Sequence, residues 1–251
     1  MKKKIFAIAF AAILAVTAIT GASLAYLQDT DAEDNVFTVG NVEIDLYEEF
    51  DEDLAHLLPA VYDAENKVYN NAIEKEVFVA NTGKDDAYVR VHIAIPSILD
   101  DAQPNFDASQ NMLHFNFDID NVVEGKWNWS KTTDGNNYPK SADEWNAYKT
   151  TINGVAYNVY VVTYESALKK DKATESAMNQ VYLDPKATNE IIAEINEKLV
   201  DGWHIYVAAE GVQAAGFTDA YHALNTAFGV PSDSYVINWT AAGTGVDTSK
   251  G

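Results

Sequence analysis

The feature that most restricts the fold is an alternation of apolar and polar side chains that returns along most of the chain. Val42, Ile44 and Leu46 alternate with Glu43 and Asp45, and Val89, Val91, Ile93 and Ile95 alternate with Tyr88, Arg90, His92 and Ala94. Tyr157, Val159, Val161 and Thr163 repeat the pattern. Successive side chains of a β-strand point to opposite faces, so this period predicts strands with one face on a core. Asn81-Thr82-Gly83-Lys84 ends a strand over residues 75–80 and predicts a hairpin with the strand that Pro96 stops. Asn153-Gly154 separates two more extended pieces, Phe115, Phe117 and Ile119 alternate, and residues 203–213 and 235–239 read as strands. Helical patterns are confined to connections. Ser141 and Glu144, spaced as a capping box, predict a short helix carrying Trp145 and Tyr148. Residues 189–200 place Ile191, Ile192, Ile195 and Leu199 on one stripe, and Thr218 is the N-cap candidate of a helix ending at Gly229-Val230-Pro231. The pattern predicts a mainly β fold, an antiparallel β-sandwich with inserted helices and long loops, with residues 97–150 rich in insertions.

Residues 1–25 are set apart. Lys2, Lys3 and Lys4 precede the apolar run IFAIAFAAILAVTAIT, and small residues at Ser23 and Ala25 place a cleavage site between Ala25 and Tyr26. This is the layout of a secretory signal peptide, and the apolar run is short of the roughly 20 residues that span a bilayer comfortably. Residues 26–251 are then one exported domain with no membrane contact after cleavage, and the expected location is extracellular, in a matrix or at the cell surface. The leader contains three lysines and no acidic residue, so the remainder carries 14 basic against 38 acidic side chains. Such a surface repels nucleic acid and anionic lipid.

Several chemistries are closed by composition. The chain has no cysteine, which removes disulfides, thiolate metal sites and cysteine nucleophiles. No nucleophile elbow, P-loop or dinucleotide fingerprint is present. The five histidines include no His-Glu-x-x-His pair. His92, His114 and His204 fall on polar faces of expected strands and are the weak candidates for a zinc site, which requires that those strands be neighbours. Asp29, Asp31, Glu33 and Asp34 resemble a calcium loop without its glycine or terminal glutamate, leaving at most a weak calcium contact. Trp127, Trp129 and Trp145 fit either a sugar-stacking platform or core packing, and packing is the expectation. No cofactor and no catalytic residue are assigned.

Asn35-Val36-Phe37-Thr38-Val39-Gly40-Asn41-Val42-Glu43-Ile44-Asp45-Leu46, the segments Glu76–Gly83 and Ala87–Val91, and Ala208-Ala209-Glu210-Gly211-Val212-Gln213-Ala214-Ala215-Gly216-Phe217 followed by a helix carrying Ala223, resemble the TasA/camelysin family. The resemblance implies a jelly-roll sandwich, export from Gram-positive bacteria and a leader cut by a signal peptidase of SipW type. It also implies one of two activities, biofilm matrix fibre assembly or camelysin-like surface metallopeptidase action. In the assembly reading residues 26–39 are a donor strand, with Tyr26, Leu27, Val36, Phe37 and Val39 entering an open sheet edge of a second copy or a paralogue, so that a head-to-tail polymer grows. A monomeric secreted surface or adhesion protein is the remaining alternative.

Overall fold

The computed structural model describes residues 42–50, 58–65, 68–99, 112–116, 126–131, 144–199, 203–237 and 239. The leader, the Ala25–Tyr26 junction, the donor residues Tyr26, Leu27, Val36, Phe37 and Val39, the acidic residues Asp29–Asp34, and Phe117, Ile119 and Ser141 lie outside the described residues.

The described residues form a mainly β structure, two antiparallel sheets facing each other across one apolar core. Sheet I has the order β1 (Ile44–Phe50), β4 (Ile73–Asn81), β11 (Met178–Leu183), β6 (Leu113–Asn116), with β10 (Lys172–Ala173) also paired to β4. Sheet II has the order β12 (Tyr206–Gln213), β5 (Ala87–Pro96), β9 (Val155–Leu168), β7 (Trp127–Asn128), with β8 (Ala147–Ile152) also on β9. A small hairpin joins β2 (Val61–Asp63) to β3 (Val68–Asn70). Helices α1 (Asn189–Lys198) and α2 (Ala220–Phe228) lie in connections, as the apolar stripes predict.

The alternating positions meet as expected. Val89, Val91, Ile93 and Ile95 of β5 face Val77 and Val79 of β4, Val181 and Leu183 of β11, and the tryptophans of the insertion-rich region. Each fully buried aliphatic side chain contributes about 1.5–3 kcal/mol. Between β10 and β11 the strand is interrupted, and side chains take over the ladder. Thr174 Oγ1 accepts from Val79 N at 3.0 Å, and Ser176 Oγ accepts from Val77 N at 3.1 Å. β8 and β9 form a two-residue hairpin in which Asn153 (φ 51°) and Gly154 (φ 83°) supply the two left-handed positions. The edge strands β1 and β12 approach closely, because Gly211 leaves room for the Ile44 side chain.

Three local expectations are corrected. The turn at Asn81-Thr82-Gly83-Lys84 joins no hairpin, because β4 belongs to sheet I and β5 to sheet II. It is an arch over the end of the sandwich, fixed by the fully buried Asn81. Its amide donates to Asp85 O at 2.8 Å and Leu168 O at 2.9 Å, while its carbonyl accepts from Gly83 N at 3.0 Å. The expected helix at Trp145 and Tyr148 is extended instead, with Trp145 in a bridge to Ser130 and Tyr148 in β8. Of the strand expected over 235–239, residues 235–237 pair with no strand among the described residues, because Tyr235 N donates to Ser232 O in a turn and the Tyr235 side chain is held by Arg90 and Glu210. Smaller adjustments concern the caps: α2 is capped by Asp219 rather than Thr218, and the strand expected from Trp203 begins at Tyr206.

Candidate functional site

The outer face of sheet II is the polar half of the alternation, yet all ten residues of β5 are buried. Helix α2, residues 229–237 and Trp239 cover that face. Ala220, Ala223 and Leu224 pack on Tyr88, and Tyr235 and Trp239 pack on Tyr148, Tyr157, Val159 and Val161. Arg90 and His92 are therefore interior groups, 2% and 0% exposed.

Burying a guanidinium is tolerable only when its charge and its donors are satisfied. Glu210 lies directly opposite on β12, and its Oε2 accepts from Arg90 Nε at 2.6 Å. The remaining Arg90 donors reach Asn225 Oδ1 at 3.0 Å, Gly229 O at 3.1 Å and the Tyr235 hydroxyl. Tyr235 in turn donates to Glu210 Oε1 at 2.7 Å. The guanidinium also sits against the rings of Tyr235 and Phe228, at 5.3 and 5.8 Å from their centroids. His92 completes the group. Its Nε2 lies 3.1 Å from Glu210 Oε2 and its Nδ1 3.2 Å from the Tyr148 hydroxyl, and its ring stacks on Tyr235 at 5.5 Å.

The electrostatics assign the protons. Burial pushes the His92 imidazole below its usual range, against the bond and charge of Glu210, so it is neutral near neutral pH. A neutral ring that donates from Nε2 to Glu210 and accepts at Nδ1 from Tyr148 satisfies every partner. Burial alone would raise Glu210; its bond to His92, the charge that His92 carries when protonated in acid, the Arg90 guanidinium and the Tyr235 hydroxyl together bring it down to about 2. Burial raises Tyr148 and Tyr235, and the Glu210 charge adds to the rise. A carboxylate, an imidazole and a phenol in line can in principle relay a proton. Here His92 is fully buried and Tyr148 is 3% exposed, and the group acts as a clamp binding α2 and the following segment to the sheet. A small cavity of about 100 Å³ adjoins it, lined by Arg90, Asn146, Thr163, Tyr221 and Pro231 among others.

Comparison with known proteins found no family model and no curated protein that matches the chain.

The three histidines of the zinc expectation are not brought together. His92 is in the clamp, His114 is on β6 in the other sheet with Nε2 2.9 Å from Asp184 Oδ2, and His204 is exposed just before β12. Among the described residues no group of three or more histidine, aspartate or glutamate side chains is placed to hold a metal ion. Trp127, Trp129 and Trp145 are 1%, 0% and 4% exposed, so they pack the core and offer no sugar platform. The sequence reading missed Glu210 and Tyr235 as partners of Arg90. The available signals were that Arg90 is the only arginine in the chain and that Glu210 interrupts a run of small apolar residues.

Proposed function

We propose that the chain is a secreted structural protein of an extracellular or biofilm matrix that assembles into fibres by N-terminal strand donation. The observation that carries this reading is the position of β1. Among the described residues it pairs with β4 alone, so it is an edge strand of sheet I, and it begins at Ile44, a short way along the chain from the candidate donor segment 26–39. An edge strand offers a row of backbone donors and acceptors to an incoming extended segment. A chain that carries its donor beside one edge and accepts at another makes a contact that does not close, which gives a filament. The resemblance to the TasA/camelysin family, the leader of SipW type and the jelly-roll form of the sandwich belong to the same proposal. The acidic, cysteine-free composition suits a protein that must remain soluble until it is released.

The test compares two forms by electron microscopy under identical conditions, the chain beginning at Tyr26 and a form lacking residues 26–38. Filaments from the first and none from the second are expected. Equal polymerisation of the two forms defeats the proposal.

A further inference from the structure

We propose that the cavity between helix α2 and the outer face of sheet II is a binding site for a small neutral amide, the acetamido group of an N-acetylated amino sugar. The site uses no residue of the donor segment and is independent of fibre assembly.

The cavity has a volume of about 100 Å³ and two walls. Asn146 and Thr163 belong to the sheet wall, and Leu224, Asn225, Val230 and Pro231 to the wall made by α2 and the residues after it. Thr163 is the partner of Arg90 in the ladder, and alternation puts Asn146 on the same outward face as Tyr148. Asn146 is 9% exposed. Its backbone is fully used, because its N donates to Trp129 O at 2.9 Å and its O accepts from Val161 N at 2.7 Å. Its side-chain amide has no hydrogen-bond partner among the described residues. A buried polar group left in that state costs about 1–3 kcal/mol, so a ligand that bonds it removes the penalty. Asn225 supplies a second such group. Its Oδ1 accepts from Arg90 Nη1 at 3.0 Å, which fixes the orientation of the amide and leaves Nδ2 without a partner among the described residues.

The two amides select the ligand. They come from opposite walls, and the N–H and C=O of a planar trans amide leave it in opposite directions. A ligand amide between them donates its N–H to Asn146 Oδ1 and accepts at its carbonyl from Asn225 Nδ2, while its methyl group meets Leu224, Val230 and Pro231. Size agrees. A cavity of about 150 Å³ holds benzene, so one of about 100 Å³ has room for about four heavy atoms, which is the acetamido group. Charge argues against a carboxylate of the same size. Arg90 is already matched by Glu210 at 2.6 Å, and Lys131, which also lines the cavity, is exposed and so screened by water. The volume also chooses the bearer. An acetylated lysine needs a further apolar channel for its four-carbon stem, whereas an amino sugar carries the group directly on its ring and keeps its hydroxyls in water. A neutral sugar is not repelled by a chain with 38 acidic residues.

Saturation-transfer NMR observes the ligand, so it serves the chain from Tyr26 onward whether that chain is monomeric or in filaments. The probes are N-acetylglucosamine, glucose, acetate and Nε-acetyl-lysine. N-acetylglucosamine is expected to bind with its acetyl methyl as the most strongly saturated group, and glucose and acetate to show no saturation. No saturation of N-acetylglucosamine, equal saturation of glucose, or tighter binding of acetate or of acetyl-lysine overturns the proposal. Asn146→Leu keeps the shape of the side chain and removes its amide. It is expected to weaken N-acetylglucosamine binding about fivefold or more. Because that amide bonds nothing within the fold, the urea midpoint should stay the same or rise. Unaltered binding overturns the proposal, and so does a lowered midpoint, which would show the amide bonded internally. Val230 lines the cavity and is 68% exposed, so it stands at the mouth. Val230→Trp is expected to abolish saturation with the fold intact, and undiminished binding in that variant overturns the proposal as well. Loss of residues 26–38 leaves the binding unchanged, which separates this site from fibre formation.

Discussion

Replacing Glu210 with glutamine tests the clamp most directly. The side chain keeps its size and one oxygen, while the negative charge opposite Arg90 is lost. Two routes give the cost. A carboxyl held at about 2 against an ordinary 4.5 contributes about 3 kcal/mol to stability at neutral pH. Removing one partner of a buried ion pair costs about 3–5 kcal/mol, because the other charge remains in the interior. With Arg90 2% exposed and Glu210 14% exposed at the side chain, the second figure applies nearly in full. Glu210→Gln is therefore expected to lose about 3–4 kcal/mol in urea unfolding followed by tryptophan fluorescence at neutral pH. The double variant Arg90→Met/Glu210→Leu is expected to recover much of that loss, since neither buried charge remains. The acid dependence supplies a third reading. Glu210 has a depressed folded value, so its contribution is present above about 4.5 and disappears as pH falls from there towards 2. Glu210→Gln should flatten that part of the stability profile. A loss below about 1 kcal/mol, or a double variant worse than the single, refutes the argument that the pair clamps the covering layer.

Two further outcomes follow from the same structure. Because His92 titrates below its ordinary 6.5 when folded, the unfolded chain takes up the proton first, and stability should fall as pH drops below about 6.5. His92→Gln should remove that slope in denaturant titrations run at a series of pH values. Asn81→Ala removes the buried amide that holds the arch and leaves the carbonyls of Asp85 and Leu168 without its donors. It should cost about 2–3 kcal/mol in the same unfolding assay, whereas the exposed Lys84→Ala should stay within about 0.5 kcal/mol.

The alternation made the strands legible because a buried sheet face imposes its period on composition. β5 and β9 are where the residues place them, and the stripe Ile191, Ile192, Ile195 and Leu199 marks α1. Direction in space was not legible. The residues of a tight hairpin and of an arch between sheets are alike, and what decides here is the Leu168 carbonyl on β9, distant in sequence, that Asn81 reaches. Trp145 and Tyr148 show the same limit. Three residues apart, they share one face of a helix but take opposite faces of a strand. Trp145 packs inward on Trp129 and Tyr160, while Tyr148 packs outward beside His92 and Tyr235. Each needs its own core, so the extended backbone overrides the capping-box spacing.

The same reasoning explains why the candidate site was the least legible part. Alternation distinguishes polar from apolar positions, but it does not say that the polar ones meet water. A sheet with both faces covered must either become apolar throughout or satisfy its polar side chains internally. Sheet II does both in different places: Val159 and Val161 face the covering segment as plain apolar surface, whereas Arg90 and His92 face it as a bonded group. The covering residues, Asn225, Gly229 and Tyr235, come from a helix end and an irregular segment with no period of their own. Their role becomes visible only once Arg90 is known to be buried. A chain with 38 acidic residues places its sole arginine in the interior because a planar donor fork can tie two strands, a helix end and the crossing segment at one point. Lysine, with a single ammonium at the end of a flexible stem, reaches only some of those acceptors, so Arg90→Lys should loosen the covering layer even though the charge is kept.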